Sequence, residues 1–203
     1  MNRLIIIGAS GHGKVVADIA CRLGYTDIVF LDNNPKLEKC AGFSVLGSDK
    51  MVKDLDGDVF VAIGNANTRK KLMTDNQGRR FPVLIHPSAV VAGDVQIGVG
   101  SVVMAGVVIN PGTSIGMGCI VNTSSSVDHD CLIGDYCHIS VGSHLCGTVA
   151  VGDNTWIGAG ATISNNVDIC ADCLIGAGAV VVRDIDEPGT YIGIPAKRIG
   201  ESG

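Results

Sequence analysis

From Ile85 to Val181 one position in every six is aliphatic without a slip: Ile85, Val91, Ile97, Val103, Ile109, Ile115, Val121, Val127, Ile133, Ile139, Leu145, Val151, Ile157, Ile163, Ile169, Ile175 and Val181. The residue that follows is often glycine, as at Gly98, Gly116, Gly134, Gly152, Gly158 and Gly176, and the residue two before is small or Val, as at Ala89, Ser101, Thr113, Ser125, Ser143, Ala161 and Ala179. A period of six matches neither an α-helix nor a heptad, so a helical reading fails. It is the hexapeptide pattern of a parallel β-helix. Three hexads make one triangular turn, residues 18 apart stack at roughly 4.8 Å, and about five turns follow. The aliphatic residue is expected to fill the prism, the small one to let the chain pass the corner, and Gly or Asn to take the unusual turn geometry.

The segment before the repeat has a different rhythm. Leu4–Ile7 predicts a strand, Gly8-Ala-Ser-Gly-His-Gly13 a tight turn, and Lys14–Leu23 a helix. Ile28–Leu31, ending in Asp32, and Val59–Ile63, ending in Gly64-Asn65, predict two further strands. The order is that of an abbreviated α/β, Rossmann-like nucleotide-binding unit. The expected division is therefore a nucleotide-binding domain over 1–82 and a β-helix with a C-terminal tail over 83–203. The glycines are spaced G-x-x-G-x-G rather than G-x-G-x-x-G, yet they still let amides at a helix N-terminus approach a diphosphate. Asp32 stands about where a ribose- or base-reading acid belongs. A dinucleotide oxidoreductase is the rival reading, but about 80 residues lack the second half that a dinucleotide needs. A mononucleotide or nucleotide-sugar fits the space better.

Composition narrows the partners. The 203 residues include 28 glycines and only 4% aromatics, as many tight turns joining short strands require. A formal charge of -5 without a Lys/Arg block argues against nucleic acid or an anionic membrane. The apolar run Leu4–Ile7 is too short for a signal or membrane segment, so a cytoplasmic protein is expected. Of the eight cysteines, Cys119, Cys131, Cys137 and Cys173 fall two residues before the aliphatic position and read as small buried fillers. Cys170 and Cys173 form a C-x-x-C at two different phases and lack the other ligands of a structural zinc site. Reduced thiols and no metal are expected.

The histidines are the candidate chemistry. His129, in Val127-Asp-His-Asp130, stands two after an aliphatic position, so it points outward at a corner with a carboxylate directly after it. Such a histidine can be a general base, because the acid orients one ring nitrogen and raises the basicity of the other. A solvated surface histidine is the alternative that the residues leave open. His138 and His144 each precede an inward position and face outward on a flat side; His12 lies in the glycine turn, and His86 at the entry to the repeat. Spacings of nine and six among His129, His138 and His144 do not match the zinc ligands of solenoid carbonic anhydrases.

Several ordered motifs together resemble one family. They are Gly8-Ala-Ser-Gly-His-Gly13, Phe30-Leu-Asp32, Ala62-Ile-Gly-Asn65, Asn122-Thr-Ser-Ser-Ser-Val-Asp-His-Asp130, Cys137-His-Ile-Ser-Val-Gly142 and Gly193-Ile-Pro-Ala-Lys197. Over nearly the whole chain the sequence is similar to hexapeptide-repeat acyltransferases of nucleotide-activated amino sugars, near the UDP-4-amino-sugar N-acetyltransferases of bacillosamine synthesis and the sialic-acid O-acetyltransferases. The resemblance implies left-handed coiling, a homotrimer with sites at the subunit boundaries, and acetyl-CoA as co-substrate. It implies that His129 is the base, tuned by Asp130, and that the Gly147 amide donates to the thioester oxygen. His138, Ala159 and Ala177 match acetyl-CoA contacts. Ser10, Gly11, His12, Asp32, Asn33 and Gly64 match the nucleotide-sugar site, where Asn33 departs from a second acid, and Asp130 departs from a glutamate. The expected reaction is N-acetylation of UDP-4-amino-4,6-dideoxy-N-acetyl-glucosamine. O-acetylation of sialic acid and N-acetylation of a GDP-linked amino sugar are alternatives, and a non-catalytic nucleotide-binding scaffold is the reading from another class.

Overall fold

The computed structural model describes residues 3–200. Its backbone contacts divide the chain into one compact unit up to Pro87 and a second from Ser88 onward.

In the first unit, β1 (Arg3–Ile7) is the central strand, flanked in parallel by β2 (Asp27–Leu31) and β5 (Asp58–Val61). Leu4 to Ile7 are buried on both faces of the sheet, as a parallel strand requires. The helix α1 (Gly11–Arg22) covers one face with Val16, Ala17, Ile19 and Ala20. It begins earlier than the pattern predicted, because Gly11, His12 and Gly13 form its first turn. The cause is close packing: a Cβ on Gly13 would stand 2.1 Å from the carbonyl oxygen of Gly8. The hairpin β3 (Lys39–Cys40) and β4 (Phe43–Ser44), a 3-10 turn over Asp49–Asp54, α2 (Ala66–Asp75) and β6 (Leu84–Ile85) complete the unit. Asp58 at the start of β5 is held by the Arg80 guanidinium and the Tyr25 hydroxyl, and Arg80 keeps its carboxyl below the usual carboxylate range. Because the chain goes from β1 to β2 and then to β5 on the other side, a crevice opens beyond the carboxyl ends of the strands.

The second unit is a parallel β-helix of two-residue strands on three faces. The first face stacks β7 (Val90–Val91), β10 (Val108–Ile109), β13 (Ser126–Val127), β16 (His144–Leu145), β19 (Thr162–Ile163) and β22 (Val180–Val181). The second stacks β8 (Gln96–Ile97), β11 (Ser114–Ile115), β14 (Leu132–Ile133), β17 (Ala150–Val151) and β20 (Asp168–Ile169). The third runs through β9 (Val102–Val103), β12 (Ile120–Val121), β15 (His138–Ile139), β18 (Trp156–Ile157) and β21 (Leu174–Ile175), and continues into β23 (Thr190–Ile192) and β24 (Lys197–Arg198). The first face is six strands deep, where the hexad count predicted about five turns.

The aliphatic column fills the prism: Ile109, Val127, Leu145, Ile163 and Val181 are all buried. The small residues two before them are buried as well, the four cysteines included. Several do more than fit. Ser101 Oγ donates to the Gly116 carbonyl and accepts from the Cys119 amide, and Thr113 makes the same pair of bonds with Asp128 O and Cys131 N. A hydroxyl there satisfies two backbone groups that the corner leaves unpaired. Burial pushes the Cys173 thiol up to about 12, which leaves it inert.

Glycine in the repeat serves two purposes, one of them expected. The left-handed corner falls three residues after the aliphatic position and is taken by Gly100, Gly106, Gly112, Gly118, Gly142, Gly160 and Gly178 at φ between 61 and 75°, and by Ser124, Asp130, Tyr136, Thr148, Asn154, Asn166 and Asp172 at φ between 56 and 60°. The glycines directly after the aliphatic position are there for closeness: a Cβ on Gly152 would lie 2.4 Å from the Ala171 amide nitrogen of the next coil.

Candidate functional site

In the first unit a cavity of about 600 Å³ occupies the crevice at the ends of the parallel strands. Gly8, Asp32 and Asn33 line it, together with Thr68, Lys50 and Lys53. Gly8 must be glycine, since its φ is 108° and a Cβ would meet Ile63 Cδ1 at 2.7 Å and Ala62 O at 2.8 Å. Asp32 organises the turn as well as facing the cavity: Oδ2 accepts from the Ala9 amide at 2.8 Å and Oδ1 from the Asn34 amide at 2.9 Å. Asn33 is tied to Asp49 by two bonds, donating from Nδ2 and accepting the Asp49 amide.

Ser10 and Gly11 are exposed at the start of α1, and Ser10 makes no side-chain cap bond to the helix. The first amides of that helix have no intrahelical acceptor and carry the positive end of its dipole. His12 turns inward from the same turn. Its Nε2 is buried and finds no hydrogen-bond partner among the described residues. Burial, with the Arg69 guanidinium nearby, lowers its pKa to about 4, so the ring is neutral at physiological pH.

Arg69 escaped the sequence reading. It is only 1% exposed, and its Nη1 donates to the carbonyls of Ile63 at 2.8 Å and Gly64 at 3.0 Å. It thereby fixes the turn after β5 that carries Gly64. Nothing in the helical pattern of α2 separates it from its solvated neighbours Lys70 and Lys71. Asn65 caps the same helix by accepting from the Thr68 amide at 2.9 Å.

In the second unit His129 stands exposed at the corner that follows the first face, at the end of β13. Its Nδ1 donates to Asp130 Oδ2 at 2.9 Å, which leaves the Nε2 lone pair directed outward. That bond first, and then the charge of Asp128, raise its pKa above the ordinary histidine value. Directly above on the next coil lies Gly147: a Cβ there would stand 2.5 Å from Nε2 and 2.6 Å from Cε1 of His129. The Gly147 amide has no acceptor among the described residues. One corner therefore offers a base and a free donor side by side.

The expected acetyl-CoA residues lie at a different corner. Ala159 and Ala177 are exposed where the third face turns into the first, joined by a bond from the Gly178 amide to Ala159 O. His138 stands on the third face just before that corner, its ring 4.6 Å from that of Trp156 and its Nε2 3.1 Å from Asn122 Nδ2. Within one chain the first face separates these residues from His129 and Gly147. On that face the exposed His144 meets Ser126 Oγ through Nδ1 at 2.8 Å.

Known proteins share both halves. Residues 3–75 match the PglD N-terminal domain and residues 148–183 the bacterial transferase hexapeptide of six repeats. The acetyltransferase domain of PglB from Neisseria gonorrhoeae, solved also in complex with acetyl coenzyme A, is 42% identical with a TM-score of 0.94, over 98% of this chain and 100% of that one. PerB from Caulobacter crescentus, solved in complex with CoA and GDP-perosamine, is 39% identical with a TM-score of 0.92 over 98% of both chains. UDP-N-acetylbacillosamine N-acetyltransferase of Bacillus subtilis (strain 168) is 35% identical over 113 residues, 52% of each protein, so the match spans about half the length of that curated relative.

Proposed function

The chain belongs to the acetyl-CoA-dependent nucleotide-sugar N-acetyltransferases built on left-handed hexapeptide repeats, and from that premise we propose that it acetylates the amine of a UDP-linked 4-amino-4,6-dideoxy sugar with His129 as the base. The observation that carries the reading is the corner where His129 Nε2 lies against Gly147, with Asp130 on the far nitrogen.

The reaction runs in a ternary complex. The neutral sugar amine attacks the thioester carbonyl and the N–C bond forms. His129 Nε2 takes the proton that the amine sheds, and the bond from Nδ1 to Asp130 stabilises the imidazolium. The Gly147 N–H donates to the oxygen as negative charge gathers on it. As the carbonyl re-forms, the C–S bond breaks and CoA leaves as thiolate, or as thiol once protonated. No acyl-enzyme is needed.

Lys50 and Lys53 in the cavity wall suit a diphosphate, as do the helix amides after Ser10, which lie outside the cavity lining, and the neutral His12 of that same turn suits an uncharged sugar group. Asp32 and Asn33 shape the pocket wall, and Gly64 follows Ile63 of that wall. Ala159, Ala177 and His138 receive acetyl-CoA, and because they share no corner with His129, a working site joins the base corner of one copy to the alanine corner of another. A homotrimer provides three such seams.

A GDP-linked amino sugar is the second reading, favoured by the likeness to PerB over the full length. A His129→Ala variant tests the assignment: kcat should fall about 10²- to 10⁴-fold while CoA and nucleotide binding by calorimetry persist. Near-wild-type kcat would remove His129 as the base, and nucleotide binding without any CoA binding would point to a non-catalytic scaffold.

A further inference from the structure

The corner that carries His129 differs from its counterpart one face on. After the strands of the second face, the position following the aliphatic residue is Gly98, Gly116, Gly134 and Gly152, each pressed against the next coil. After the first face the same position holds Asn110 and Asp128, stacked 18 residues apart on consecutive coils. Their side chains meet: Asn110 Nδ2 donates to Asp128 Oδ1 at 2.7 Å. The same Oδ1 also accepts the backbone amide of His129 at 2.8 Å.

We propose that Asn110 and Asp128 form a clamp that positions His129, Asp128 gripping the main chain of the base while Asn110 holds Asp128. The clamp rests on the reading of His129 as the base and adds to it two positioning residues. The bond to Asp130 orients the ring, and the main chain of the corner is tied to the coils on either side, where His129 O accepts the Thr148 amide and the Asp130 amide donates to Pro111 O. The His129 amide is the group these bonds leave over, and the Asp128 carboxylate, itself anchored to the coil below through Asn110, captures it and completes the grip on the base. It also places a second negative charge beside the imidazole.

The groups around His129 are few. Its own coil brings Asp128 and Asp130; the coil above brings Cys146, Gly147 and Thr148. The coil below brings Asn110, Pro111 and Gly112, and beyond them Asp94 accepts the Gly112 amide at 2.9 Å. Asn110 itself is neutral. Its part is to hold the carboxylate in the ionised, inward geometry, and it does so with a bond that lowers the Asp128 pKa.

The test uses full-length Asn110→Ala, Asp128→Ala and Asp128→Asn proteins with acetyl-CoA and the amino-sugar acceptor. Both alanine variants should lose about tenfold in kcat with KM for acetyl-CoA unchanged, since misplacing a base by a fraction of an ångström costs rate rather than binding. Asp128→Asn keeps an acceptor for the His129 amide, so it should recover most of kcat. Without the charge, however, the acid limb of its kcat/KM profile should move to lower pH. Thermal melts of all three check that the coils remain folded, and a shifted limb in a variant that melts like the wild type is beyond a merely structural role. Wild-type kcat and an unmoved limb in all three, alongside an inactive His129→Ala, would overturn the clamp and leave the base in place. An active His129→Ala would overturn both.

Discussion

Gly147 and His12 show how much a single residue decides about its surroundings. At Gly147 a hydrogen in place of a methyl is what admits the imidazole, because the added carbon would stand 2.5 Å from Nε2 of His129. A Gly147→Ala variant should therefore displace the ring and lose about 10²-fold in kcat, with CoA affinity unchanged by calorimetry. His12 is a buried base held neutral, its pKa lowered to about 4. In the unfolded chain it takes up a proton below its ordinary value near 6.5, and in the folded chain it does not until about pH 4. Stability of the N-terminal unit is then intact above pH 6.5 and falls as pH drops through the interval, by on the order of 3 kcal/mol if the whole shift is expressed. A His12→Asn variant should lack that acid loss in a urea series between pH 7 and 4. The sequence made His12 visible through the glycine turn but not its burial or its neighbour Arg69, because a charged residue in a short polar helix carries no mark of being inside.

At the scale of elements, the period-six column made the solenoid legible before any coordinates. Each aliphatic residue is a strand position, and registers such as Val108↔Ser126 and Ile109↔Val127 fall at the predicted stacking interval. The outward phase of His129 was legible for the same reason. The left-handed corner expected of Gly or Asn is there, three after the column, at Gly106, Gly142 and Asn154 among others, but the second role of glycine was not legible, because period alone does not mark the position, one after the column, that needs a neighbouring coil close by. The two demands predict different costs. Gly152→Ala puts a Cβ 2.4 Å from backbone in the next coil, so strands must part; it should destabilise the solenoid by roughly 1–3 kcal/mol in a denaturant titration. Asn110 could have been found by reading 18 residues back from Asp128, since stacked side chains in this repeat are neighbours. In the first unit the strand order and the crevice follow from the strand–turn–helix pattern. The helix start was misjudged because glycine reads as a breaker, although here it permits packing against the Gly8 carbonyl.

For the whole molecule, a cavity at the ends of the parallel strands stands in one unit, and in the other the His129–Asp130 pair stands beside the Gly147 amide. Among the described residues no helix is long and apolar enough to cross a membrane. The proposed reaction takes acetyl-CoA as donor and a nucleotide-linked amine as acceptor. Its most direct test is to incubate the wild-type protein with acetyl-CoA and, in parallel, UDP- and GDP-linked 4-amino sugars and CMP-sialic acid, and to follow thiol release and the mass of the sugar. One thiol should be released per acetyl group gained, on the amine of the UDP-linked sugar first. Turnover on the GDP-linked sugar alone would change the acceptor. Thiol release with none of the amino sugars, under conditions where CoA binds, would contradict the central claim.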